Sequence, residues 1–90
     1  MKKFNDLRFE FRGIKNLTQA IIEFDNGYGA SVIKGFGAYG TKNTPYEIAV
    51  LKAGELCYST PITNNVIGYL NKEEVTDLMR KIQELPQETE

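Results

Sequence analysis

Gly27-Tyr28-Gly29-Ala30-Ser31-Val32-Ile33-Lys34-Gly35-Phe36-Gly37-Ala38-Tyr39-Gly40 holds five of the eight glycines and three of the ten aromatic residues of the chain. Its first half reads as the return strand of a hairpin and its second half as a long glycine-rich loop. The outgoing strand is residues 18–24, which end in Asp25-Asn26-Gly27. A two-residue Asn-Gly turn would pair Phe24 with Gly29 and Ile22 with Ser31. A three-residue loop with Gly27 left-handed pairs Phe24 with Tyr28, Ile22 with Ala30 and Ala20 with Val32. The second register gathers all six on one face, and register follows the hydrophobic pattern. The three-residue loop is therefore expected.

Downstream, residues 46–51 and 56–58 flank Lys52-Ala53-Gly54. The same loop form, with Gly54 third and left-handed, pairs Val50 with Leu56 and Ile48 with Tyr58. Ala49, Leu51 and Cys57 then share the opposite face. Strands apolar on both faces usually lie mid-sheet or under a partner. Upstream, residues 7–12 alternate strictly apolar and charged, the period of a half-buried strand with Leu7, Phe9 and Phe11 facing inward. Residues 66–70 read as a short extended segment after a turn-rich connection.

The helix signal follows. Asn71 stands as N-cap, with Glu74 spaced to reach back in a capping box and Leu70 and Val75 at staple positions. Val75, Leu78, Met79 and Ile82 form the apolar stripe, Leu85 extends it, and Pro86 stops the helix. Acids lie early in the helix and Arg80 and Lys81 late, as its dipole prefers. The chain reads as one α+β domain over residues 1–86, with an acidic tail at 87–90. Its architecture is an antiparallel meander of four or five strands with one C-terminal helix packed on one face. That helix covers one face only. Ile21, Ile33, Ala49 and Leu51 on the other form a candidate self-association face, most simply a two-fold homodimer.

The totals bound the function. Ninety residues, 41% apolar and 26% charged, suit a single globular domain. One cysteine permits no intramolecular disulfide, and the start lacks the apolar segment of a signal peptide, so a reducing, cytoplasmic setting is expected. No apolar run is long enough for a membrane-spanning helix. Residues 1–45 carry seven Lys/Arg against four Asp/Glu, and residues 46–90 four against eight. The basic half is too dilute to suggest a phosphate-tracking groove, so nucleic acid is not an expected partner.

Gly35-Phe36-Gly37-Ala38-Tyr39-Gly40 matches G-x-G-x-x-G literally, yet no helix follows it, as a dinucleotide fold requires. A turned β-connection is the plain reading. The functional reading is a recognition loop in which glycines present Phe36 and Tyr39, with Lys42 beside them, to a partner. Usual catalytic equipment is sparse: the chain has no histidine, Cys57 falls mid-strand, and Glu73, Glu74 and Asp77 complement a helix dipole. No enzyme activity, cofactor or metal is expected.

Asn26-Gly27-Tyr28-Gly29-Ala30-Ser31-Val32, Tyr39-Gly40, Tyr46-Glu47-Ile48-Ala49-Val50-Leu51-Lys52, Thr60-Pro61-Ile62-Thr63 and Gly68-Tyr69-Leu70 together resemble a family of short proteins encoded by tailed phages and prophages. The resemblance spans residues 24 to about 85. It implies phage origin and the cytoplasm of the infected host, and it carries over no catalytic or binding residues. By analogy with phage proteins of this size, the first expectation is a non-enzymatic interaction protein that binds and inhibits a host defence or regulatory protein. The alternatives are a small-ligand or nucleotide sponge using the glycine-rich loop, and a minor virion or assembly component.

Overall fold

The computed structural model describes residues 1–35, 37–63 and 65–87. Phe36 and the expected acidic tail beyond Gln87 lie outside the described residues. Among the described residues, six strands form one antiparallel sheet: β1 Glu10–Phe11, β2 Thr18–Glu23, β3 Tyr28–Lys34, β4 Tyr46–Lys52, β5 Glu55–Leu56 and β6 Ile67–Leu70. Helix α1, Lys72–Gln83, packs mainly on β3 and β4. The class is the expected α+β. The strand order is β1-β2-β3-β4-β5, and β6 returns to pair with β4. Two short strands thus share one edge of β4. β5 lies beside Leu51 and Lys52, and β6 beside Tyr46 and Ile48.

The first hairpin has the expected register. Ala20 faces Val32 and Ile22 faces Ala30, while the Phe24 amide donates to the Tyr28 carbonyl at 2.8 Å. Gly27 holds φ +86°, the left-handed position that closes the three-residue loop. Ala20, Ala30 and Val32 are fully buried as a result.

The second hairpin departs from expectation by one residue. Leu51 faces Leu56 and Lys52 faces Glu55, leaving a two-residue loop. Ala53 and Gly54 are both left-handed, at φ 52° and 82°, the turn whose twist matches the flanking strands. The Ala53 amide donates to the Gly27 carbonyl at 3.1 Å, so the β3–β4 ladder runs on into the turn and fixes it. A one-residue slip exchanges faces. Cys57 therefore joins the core on the helix side, its amide bonded to the Val50 carbonyl, and Leu56 moves to the open face. Tyr58, expected opposite Ile48, is exposed, because Ile67 of β6 takes that place.

The N-terminal strand is shorter than its alternation suggests. Only Glu10 and Phe11 pair with β2, opposite Gln19 and Thr18. Phe11, expected to face inward, is exposed at the outer end of the sheet. A 3-10 turn at Phe4–Asp6 supplies Phe4 instead, and Phe4, Phe9 and Tyr46 close that end of the core with ring centroids 5.1–5.8 Å apart. The turn is held to the helix, since the Phe4 amide donates to Thr76 Oγ1 at 3.0 Å.

Helix α1 begins as its sequence predicts. The Glu74 amide donates to Asn71 Oδ1 at 2.8 Å, and the Asn71 amide donates to Glu74 Oε1 at 2.9 Å. Val75, Met79 and Ile82 are fully buried, and Leu78 packs half-buried at the margin. Each fully buried side chain of this size contributes about 1.5–3 kcal/mol through removal of apolar surface from water. The stripe settles on Val32, Ile48 and Val50, the largest fully buried side chains of β3 and β4.

Candidate interaction surface

Alternation along β2, β3 and β4 puts the second set of side chains on the face away from the helix. Three cross-strand rows build it: Gln19, Ile33 and Glu47; Ile21, Ser31 and Ala49; Glu23, Gly29, Leu51 and Leu56. A line of polar bonds crosses one end. Arg12 Nε donates to Gln19 Oε1 at 2.9 Å, and Gln19 Nε2 donates to Ser31 Oγ at 2.8 Å. Of the four residues expected to form a self-association face, Ala49 and Leu51 are already buried within one chain, and Ile33 is half-buried. Ile21 is 55% exposed and is joined by Leu56 at 57%, which the register slip delivers to this face.

The glycine-rich loop is held to the edge of the same face. Glu47, a carboxylate only 8% exposed, accepts the Tyr39 amide at 3.1 Å, and the Tyr39 carbonyl accepts the Tyr69 amide at 2.8 Å. Tyr69 belongs to β6, where Glu47 of β4 faces both Gly68 and Tyr69 in a bulge and Tyr69 is left-handed at φ 59°. Gly68 is what admits the loop, for a Cβ there would lie 2.5 Å from Tyr39 Cβ and 2.7 Å from Tyr39 O. With its backbone fixed on both sides, Tyr39 is still 60% exposed. Glycine content alone suggests a loose loop. The tether arises from a buried glutamate eight residues downstream and a β-bulge thirty residues away, contacts that no local pattern carries.

The other two residues expected in the recognition loop fall elsewhere. Phe36 lies outside the described residues. Lys42 is exposed and lines a cleft on the helix side with Lys34 and Lys72, and a second one with Ala38 and Gly40 on either side of Tyr39. Leu56 and Tyr69 are surface residues that the sequence reading missed. The Ala53-Gly54 pair was the available signal for Leu56, since a two-residue loop puts it opposite Leu51. Among the described residues, no three of His, Cys, Asp or Glu converge as metal ligands, and no helix is long and apolar enough to cross a membrane. The chain matches no protein-family model, no curated protein and no solved structure.

Proposed function

We propose that this protein works as a non-enzymatic interaction module that engages a host protein through the open sheet face and the Tyr39 edge beside it. One observation carries the reading: an exposed aromatic ring stands on a backbone already fixed by Glu47 and Tyr69. An exposed ring that needs little ordering on binding loses less conformational entropy, and aromatic anchors of this kind dominate binding energy at interfaces. Ile21 and Leu56 extend the apolar surface around a polar line of Arg12, Gln19 and Ser31, the mixture that transient interfaces present. The phage-like sequence pattern supports a host-cell partner, of the defence or regulatory kind, in the host cytoplasm.

The experiment is capture of partners by the tagged chain from host cells, identified by mass spectrometry, with sedimentation of the purified chain alongside. A stoichiometric host protein whose capture is lost in Tyr39→Ala supports the reading. Recovery of the chain only in assembled virus particles, or a stable homodimer that buries Ile21 and captures nothing else, would replace it.

A further inference from the structure

On the helix side, two clefts adjoin at the outer end of β3 and β4. One, of about 400 Å³, is lined by Lys34, Lys42, Asn43, Asn71, Lys72 and Glu73 above the Tyr46 ring. The second, of about 350 Å³, shares Lys34 and Lys42 and is completed by Asn16, Thr41 and the backbone at Gly35 and Gly40. Three lysines and one carboxylate, Glu73, line the two clefts. Among the described residues, none of these three lysines forms an ion pair with a carboxylate. Lys34 and Lys72 instead stand over the rings of Tyr46 and Phe4, at 5.7 and 5.6 Å.

The floor of the first cleft is the start of helix α1. Its capping box occupies the amides of Asn71 and Glu74. The amides of Lys72 and Glu73, the first two positions, have no intrahelical acceptor and lie at the positive end of the helix dipole. The glycine-rich loop walls the second cleft through Gly35, Ala38 and Gly40, and local bonds hold it on both sides. The Ala38 amide donates to the Gly35 carbonyl at 3.0 Å, and the Thr41 amide to the Thr44 carbonyl at 3.0 Å. At Gly35 a Cβ would collide with the Asn16 carbonyl, so the loop backbone itself shapes the cleft.

The geometry points to a binding site for a small polyphosphate, with one phosphate between Lys72 and the helix start and the next held by Lys34 and Lys42 at the mouth of the glycine-rich loop. Two adjoining clefts that share two lysines suit a chain of linked phosphates better than a single anion. Asn16, Thr41 and Asn43 supply neutral donors around the charges. The site shares with the interaction surface the loop that carries Tyr39, since Ala38 and Gly40 line the second cleft, while the open sheet face lies on the other side of the sheet.

Isothermal titration with inorganic tripolyphosphate at low ionic strength tests it, with ATP as a second arm to ask whether a nucleoside adds affinity. Wild type should bind with one saturable site, weakening as salt screens the charges. Lys34→Gln with Lys42→Gln should weaken binding about tenfold or more, and Glu73→Gln should tighten it several-fold by removing the one opposing charge. All three positions are exposed, so the variants should melt like wild type. Equal affinity for tripolyphosphate and ATP defines a site that reads phosphate alone, and tighter ATP defines a nucleotide site. No saturable binding up to about 10 mM would overturn the proposal. So would affinities indifferent to Lys34, Lys42 and Glu73.

Discussion

Asn26, in the first hairpin loop, closes the C-terminal end of the helix at Ile82: its Nδ2 donates to the Ile82 carbonyl at 2.8 Å and to the Leu85 carbonyl at 3.1 Å. Its Oδ1 meanwhile accepts the Tyr28 amide at 3.1 Å. One carboxamide thus joins the turn that sets the sheet register to the helix that covers the sheet. The last carbonyls of a helix lack intrahelical donors, and here a side chain 56 residues away supplies one.

Asn26→Ala should destabilise the fold by about 1–3 kcal/mol, since it takes the donor from the Leu85 carbonyl and leaves the Ile82 carbonyl only the Leu85 amide at 3.2 Å. Asn26→Asp should cost more, because it aims a carboxylate at two carbonyls and at the negative end of the helix dipole. Urea unfolding midpoints for the two variants check the order.

Along the helix, Met79→Ala should cost about 2–5 kcal/mol through the cavity it leaves. Leu78→Ala should cost clearly less, because Leu78 is half-buried at the margin. Asn71→Ala should cost about 1 kcal/mol for its lost cap. Equal effects at Met79 and Leu78 in thermal unfolding would contradict the observed helix orientation.

Glycines 54 and 68 should fail differently. Around Gly54 a Cβ meets open space but φ is +82°, so Gly54→Ala should cost about 1 kcal/mol and change nothing else. Gly68→Ala drives a methyl into Tyr39, so the loop must lift from β6. Amide exchange at Tyr69, whose partner is the Tyr39 carbonyl, should then accelerate in Gly68→Ala and stay protected in Gly54→Ala.

Burial at the Phe4 and Phe9 end of the core pushes the Tyr46 phenol above its ordinary value of 10.0. The folded state therefore holds this proton more tightly than the unfolded state. Its contribution is complete below about pH 10 and is lost as pH rises through the folded value. Tyr46→Phe should flatten the alkaline loss of stability relative to wild type and leave the difference between the two proteins constant from about pH 6 to 9. Urea unfolding of both proteins across that range and above it reads the sign.

Much of the fold was legible because the decisive signals were local. Asn71 and Glu74 fix the helix start within four residues, and the six apolar positions around Asp25-Asn26-Gly27 choose one register. The second hairpin was misread where two loop lengths both end in Gly54. What decides between them is the Ala53 amide meeting the Gly27 carbonyl, a contact between two turns that neither turn announces. Phe11 was misread for a similar reason, because alternation gives its face but not that the helix-side cover ends before it. At the candidate surface the aromatic itself was legible and its rigidity was not, since Glu47 and Tyr69 reach Tyr39 only after the chain has folded.

Engagement of the partner by the open face and its Tyr39 edge can be read by comparing two variants in one capture experiment. The first combines Ile21→Glu with Tyr39→Ala. The second combines Asp77→Lys with Lys81→Glu on the solvated side of the helix. Both sets of positions are exposed, so both variants should keep melting temperatures close to wild type. The first should lose the host partner and the second should retain it. Retention by the first variant, or loss by the second alone, would place the partner site away from the open face and Tyr39.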